Sequence, residues 1–207
     1  MKKTKIVMVA SVCLLLTSCA SSYKKIKPKS LSYSSQNSSN NVTLEYKYDL
    51  LNKKYKKKES KNNVKLIAIK ITNNSDVDYT FGNNLNLSYE NGNGVLVLDN
   101  EQIFQYIRQK PATYLWYLLL APVQLYSGSS TNSYGQSAPT NSFPIGLIAG
   151  PGLAGGNMIG AAEANRNLKK DLAEYGIIGK IIKKGETVYG LVGIKSEGYE
   201  SLKLNLN

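Results

Sequence analysis

The sequence predicts a mainly β protein, an antiparallel β-sandwich interrupted by a helical, glycine-rich and hydrophobic insertion. Three observations carry this. Between residues 42 and 98 apolar side chains recur at every second position, in short runs separated by turn formers. The same alternation returns after residue 176 and runs to the end of the chain. Residues 100–176 lack it and hold two long stretches without a single charge.

The first element is a leader. Lys2, Lys3 and Lys5 precede an apolar run of 11 residues, Ile6 to Leu16. That run has the proportions of a secretory signal over residues 1–18 and falls short of the roughly 20 apolar residues that span a bilayer. It closes on Leu16, Thr17, Ser18 and Cys19. This ordered ending resembles the lipobox of bacterial lipoproteins. The resemblance implies a diacylglycerol thioether on Cys19, cleavage before it, and acylation (palmitate-type chains) of the new amino terminus. One acyl chain binds membranes only reversibly, whereas two or three make the attachment effectively permanent. Cys13 would leave with the leader, so the mature chain would carry one cysteine and no internal disulfide. A hydrophobic core must then hold it together, and residues 19–207 suffice for one domain of ordinary size.

Residues 19–41 are polar and serine-rich without periodicity, which predicts a disordered, lipid-anchored tether. The domain proper is expected over 42–207. Val42, Leu44, Tyr46, Tyr48 and Leu50 fall on one face of a strand, with Thr43, Glu45, Lys47 and Asp49 on the other. "NKKYKKKESK" (52–61) is read as a solvated charged loop. "VKLIAIKIT" (64–72) is apolar on both faces, as a central strand would be. "NNSD" (73–76) and "ENGNG" (90–94) supply turns on either side of an alternating Leu85, Leu87, Tyr89. After the insertion come "IIGKIIKKGETVYGLVGI" and the alternating Leu202, Leu204 and Leu206. Seven or eight short strands, five before the insertion and three after it, suit an immunoglobulin-like β-sandwich.

The segments "VKLIAIKITNNSDVDYTF" and "KKGETVYGLVGI" resemble the core strands of small immunoglobulin-like domains in bacterial exported proteins. Taken whole, the chain is similar to lipoproteins of Bacteroidetes-type bacteria that carry an Ig-like domain. That resemblance implies no catalytic residue to transfer, and fold alone does not give function.

The insertion, 100–176, is the unusual part. "ATYLWYLLLAPVQLY" (112–126) and "FPIGLIAGPGLAGGNMIGAA" (143–162) are uncharged, and a polar run of turn formers lies between them. Gly146 and Gly150, then Gly152, Gly156 and Gly160, repeat at four-residue spacing, which lets another backbone approach a helix closely. Pro122 and Pro151 argue against either stretch being one straight helix. A soluble-type helix follows, with Ala161, Ala164, Leu168, Leu172 and Tyr175 as its stripe and Gly176 as its stop. The preferred reading packs the insertion over one face or end of the sandwich. A second sends the two stretches into the outer membrane or into a multimer. A third makes a groove beside the insertion a site for a lipid ligand or an envelope protein.

Composition narrows the chemistry. The chain has no histidine, which excludes Ser-His-Asp and Cys-His catalysis and the commonest zinc sites. Two carboxylate pairs remain, Asp76 with Asp78 and Asp99 with Glu101, each read first as loop-edge solvation. "GPGLAGG" lacks the Gly-Lys-Ser/Thr ending of a phosphate loop. No cofactor or metal is expected. The formal net charge of +12 is concentrated near the anchor: residues 20–70 hold 13 Lys and three acids, whereas 71–207 hold 10 Lys/Arg and 11 acids. A basic region beside a membrane attracts anionic headgroups. Nucleic acid is not an expected partner of an exported, anchored protein.

The expected function is that of a lipid-anchored cell-envelope lipoprotein with a binding or structural role, not an enzyme. The alternative is a carboxylate-dependent envelope hydrolase using Asp76, Asp78, Asp99 or Glu101, which requires two of them to converge in a cleft. Ala20 stands where proteobacterial inner-membrane lipoproteins carry aspartate, and "ASSYKKIK" has no acidic cluster. Both point to the outer membrane, facing the periplasm.

Overall fold

A computed structural model describes residues 19–206 except 129, 132, 139 and 140. The expected leader, with Leu16, Thr17 and Ser18, lies outside the described residues. The chain divides into two compact units. The larger comprises Ser21–Gln109 and Ala164–Asn207, and the smaller comprises Lys110–Glu163 with the N-terminal chain up to Ala20.

In chain order the larger unit supplies β1 (Ser35–Ser39), β2 (Val42–Lys47), helix α1 (Lys53–Lys61), β3 (Val64–Asn73), β4 (Tyr79–Thr80), β5 (Leu85–Tyr89), β6 (Val97–Leu98) and helix α2 (Asn100–Ile107). The smaller unit supplies a 3-10 helix (Pro111–Leu120), β7 (Leu125–Ser127), β8 (Ser130–Thr131), β9 (Ser137–Ala138) and β10 (Asn141–Phe143). Helix α3 (Ile145–Tyr175) begins in the smaller unit and ends in the larger one, which closes with β11 (Ile181–Ile182), β12 (Thr187–Lys195) and β13 (Leu202–Leu206).

The larger unit is mainly β. Five antiparallel strands form one sheet in the order β1-β2-β3-β12-β6, while β13 pairs β5 and β11 pairs β4. Strand β3 sits at the centre, with Ile67 opposite Val192 and Ile71 opposite Leu44. Its alternation on two faces produces two cores. Ile67, Ile69 and Ile71 pack with Leu85, Leu87, Leu202 and Leu204 on one side. Leu66 and Ala68 pack on the other with Tyr55 of α1, Ile103 and Ile107 of α2, and Leu168 and Leu172 of α3. A Cβ on Gly193 would lie 2.7 Å from the Ile103 Cβ, so α2 rests on the strand backbone itself.

Several local expectations change. The lysine run is a helix, not a loop. Tyr55 and Glu59 stand four residues apart on one side of α1 and are the residues it buries, and its lysines face outward. Residues 21–41 are built into the fold where a tether was expected. Ile26 is buried, and β1 extends the sheet by a full antiparallel ladder with β2. Such an edge strand needs only backbone groups and no apolar pattern. The insertion proper is 110–163, since α2 and the last turns of α3 supply the second core. Helix α3 also continues through Pro151. That proline is the seventh residue of the helix and forgoes the bond to the Leu147 carbonyl.

Glu59 is 1% exposed. Its Oε1 accepts the Leu66 amide at 2.8 Å, while Oε2 has no hydrogen-bond partner. Burial, opposed by the Leu66 amide and Lys65, raises its pKa above the ordinary carboxylate value. The native state therefore binds this proton more tightly than the unfolded chain. The carboxyl favours folding most at acid pH, and stability falls as pH rises from about 4.3 towards the raised native value. Glu59→Gln removes that loss. The melting-temperature difference between variant and wild type should grow in the variant's favour across this window, and a difference independent of pH would refute the assignment.

Candidate functional site

The one cysteine among the described residues, Cys19, is exposed, and the chain that follows it is fixed at once. The Ala20 amide donates to Asn157 Oδ1 within the smaller unit. In the larger unit Ser21 pairs in both directions with the side-chain amide of Gln109. The Ser21 amide donates to Oε1 at 3.0 Å, and Nε2 donates to the Ser21 carbonyl at 2.7 Å. Asn165 of α3 does the same for the Gln109 backbone, accepting its N–H at Oδ1 and donating Nδ2 to its carbonyl, both at 2.9 Å. The Tyr55 hydroxyl joins the two amides, donating to Asn165 Oδ1 and accepting from Gln109 Nε2. Farther along, Asp171 Oδ2 accepts from the Tyr23 hydroxyl and from the Ile26 amide at 2.9 and 2.8 Å. Burial, and then Asp171, push the Tyr23 hydroxyl pKa well up.

Gln109, Asn165 and Asp171 are all buried. Buried polar groups cost free energy unless paired; here Gln109 and Asp171 find partners on the segment that leads from Cys19, and Asn165 holds Gln109 in place. The arrangement is a polar clasp. It holds residues 21–26 against α1, α2 and the second half of α3, leaving Ala20 as the only residue between it and Cys19.

The smaller unit is built on different chemistry. From Pro111 to Ala162 there is no Asp, Glu, Lys or Arg. The start of α3 meets the 3-10 helix so closely that a Cβ on Gly146 would lie 1.8 Å from the Leu120 carbonyl oxygen, and one on Gly150 3.0 Å from that of Tyr117. The first glycine pair thus performs the close approach its spacing suggests, inside the chain. Gly152, Gly155 and Gly156 face open space. The unit's core is small: Tyr114, Tyr117, Ala154 and Ala161, with Ala20, Leu120 and Met158 at its edge. Much apolar surface remains outside, including Trp116 at 73% exposure, Leu119 at 67% and Ile159 at 73%.

The four candidate carboxylates serve local ends. Asp76 pairs with the Lys184 ammonium and Asp78 accepts the Lys184 amide at 2.9 Å. Asp99 caps α2 in a reciprocal box with Gln102. Glu101 pairs with Lys169 at 3.0 Å and accepts from Gln105, and these hydrogen bonds, that of Lys169 first, lower its pKa. Among the described residues no three His, Cys, Asp or Glu side chains gather at one place.

No protein-family model, curated protein or solved structure matches the chain.

The clasp escaped the sequence reading because its partners lie far apart in the chain. The available signal was Asn165 and Asp171 set beside the Ala164, Leu168, Leu172 stripe of an otherwise regular helix. Gln109→Ala leaves the Ser21 amide and carbonyl buried without their partner, at a cost of about 1–3 kcal/mol. The variant should melt lower by ~2–4 °C per kcal/mol, and trypsin should cut after Lys24 or Lys25 sooner than in wild type. An unchanged digestion time course would show that the clasp does not hold the segment.

Proposed function

We propose that this protein is a lipid-anchored lipoprotein of the bacterial cell envelope, with a binding or structural role rather than an enzymatic one. The observation that carries the reading is Cys19 itself. It closes the ordered Leu16-Thr17-Ser18-Cys19 run and stands exposed one residue before the chain enters the fold. An exposed thiol at the head of a fixed segment leaves room for acyl chains. The roles of Asp76, Asp78, Asp99 and Glu101 in caps and ion pairs support the non-catalytic reading over the hydrolase.

The larger unit is read as an immunoglobulin-like sandwich. The support is the first core, in which the five-stranded sheet shares side chains with the β5–β13 and β4–β11 ribbons. The protein is placed in the outer membrane facing the periplasm, on the residues after Cys19, and digestion of intact cells by an added protease should leave it uncut.

Cys19→Ser in the leader-bearing chain is the direct test. Wild type should be recovered from membranes, beginning at residue 19 and heavier than its sequence by the mass of the acyl groups. The variant should accumulate as an unprocessed precursor without that mass. Equal masses and equal processing of the two chains would dispose of the lipid anchor.

A further inference from the structure

We infer that the smaller unit inserts its uncharged surface into a lipid bilayer with anionic headgroups, holding the membrane by protein as well as by any acyl chain. The inference deepens the lipoprotein reading and rests on it for which membrane is met. The insertion itself is a property of residues 111–162.

The first argument is charge. Charged residues make up 19% of the chain, yet the run from Pro111 to Ala162 contains none, and Lys110 and Glu163 close its two ends. Charge is what membrane interiors exclude most strongly. A water-facing surface of this length has no reason to avoid it. The second argument is exposure. Trp116, Leu119, Leu147, Ile148 and Ile159, five large apolar side chains of one uncharged stretch, are all more than half exposed. Helix α3 has a stretch of 18 residues with mean hydropathy 1.3, of which only 22% is buried, unlike its last turns, which pack in the larger unit's core. Its uncharged part, 145–162, rises ~27 Å at 1.5 Å per residue, close to the roughly 30 Å of a hydrocarbon layer.

Backbone chemistry agrees. Hydrocarbon tolerates only backbone whose polar groups are paired internally. Here one stretch is helical, the other is a 3-10 helix followed by β7, and β7 pairs β10 across the polar run between them. That run is rich in hydroxyls and amides, and Tyr126 at its edge and Tyr134 within it are exposed, as side chains of the headgroup region are.

The occupant follows from the neighbouring residues. Ala20, bonded to Asn157 and packed toward Gly160, places Cys19 beside this unit, one 3.8 Å Cα step away. Acyl chains on Cys19 therefore enter a bilayer only if this unit meets it. Lys24, Lys25, Lys27 and Lys29 follow within ten residues of Cys19 and are exposed, which favours anionic headgroups over neutral ones. A second copy of the chain would cover the apolar surface but leaves these features unexplained.

Trp116 is the only tryptophan in the chain, so its fluorescence reports this surface alone. The chain from residue 19 onward, carrying Cys19→Ser so that no lipid can be attached, is mixed with vesicles of phosphatidylethanolamine and phosphatidylglycerol. We expect the emission to shift to the blue, brominated acyl chains to quench it, and the protein to float with the vesicles in high salt. Leu119→Asp and Ile148→Asp change exposed positions, and each should lower partitioning about tenfold or more while leaving the melting temperature in buffer unchanged. Unshifted emission overturns the inference. So does binding that high salt abolishes without bromine quenching, which would be lysine contact alone. So does self-association that buries Trp116 without vesicles. Failure of acylation in cells would refute the anchor and leave this vesicle result standing.

Discussion

Strand β3 is apolar on both faces, and the rest of the larger unit answers that constraint. A strand with one wet face needs one covering layer, but Val64–Asn73 at the centre of a five-stranded sheet needs two. The β5–β13 ribbon, with β4 and β11, covers Ile67, Ile69 and Ile71. Helices cover Leu66 and Ala68, and they come from three distant places in the chain: 53–61, 100–107 and 164–175. Gly193 shows how tight the cover is, since even one methyl on that strand would collide with Ile103. Each buried Leu or Ile contributes on the order of 1.5–3 kcal/mol. The helices are thus recruited by the sheet more than by their own propensity.

That dependence explains what the sequence revealed and what it hid. β2, β3, β12 and β13 were legible because burial on a pleated face imposes a period of two, and Val42–Lys47 keeps it without a break. The second half of α3 was legible for the same reason at helical spacing, and Ala161, Ala164, Leu168 and Leu172 are all buried. Helix α1 was not, because Tyr55 and Glu59 are its whole buried face and lysines surround them. No periodicity can be read from two residues. β1 was hidden differently: Ser35–Ser39 contributes a backbone ladder and little else, so its side chains carry no signal. The clasp was hidden because reciprocal amide pairing between Ser21, Gln109 and Asn165 leaves no trace in local composition. The i, i+2 spacing of the carboxylates reflects local roles, a cap at Asp99, an ion pair at Glu101 and contacts with Lys184 at Asp76 and Asp78.

The two units solve the solubility problem in opposite ways. The larger one turns charge outward except at a few buried groups such as Glu59, Lys65 and Asp171, and its nine-residue helix α1 is mostly lysine. The smaller one has no charge to turn outward over 111–162 and only a small core in which to hide its leucines and aromatics. Glycine does the packing there. Gly146 and Gly150 bring two backbones within van der Waals contact where larger residues would have supplied buried area. A unit built this way gains little from the hydrophobic effect on its own, and its exposed surface is where more is to be gained.

A flexible tether lets a charged domain stand off from the membrane that anchors it. Here the chain is fixed from Ser21 onward, so any lipid on Cys19 has at most two residues of slack, no more than about 7 Å of chain. Ala20 is bonded to Asn157, so the chain beside Cys19 lies against a stretch without charge within the smaller unit. The lipid proposed for Cys19 would therefore start beside an uncharged stretch, through a contact between Ala20 and Asn157, residues far apart in the chain.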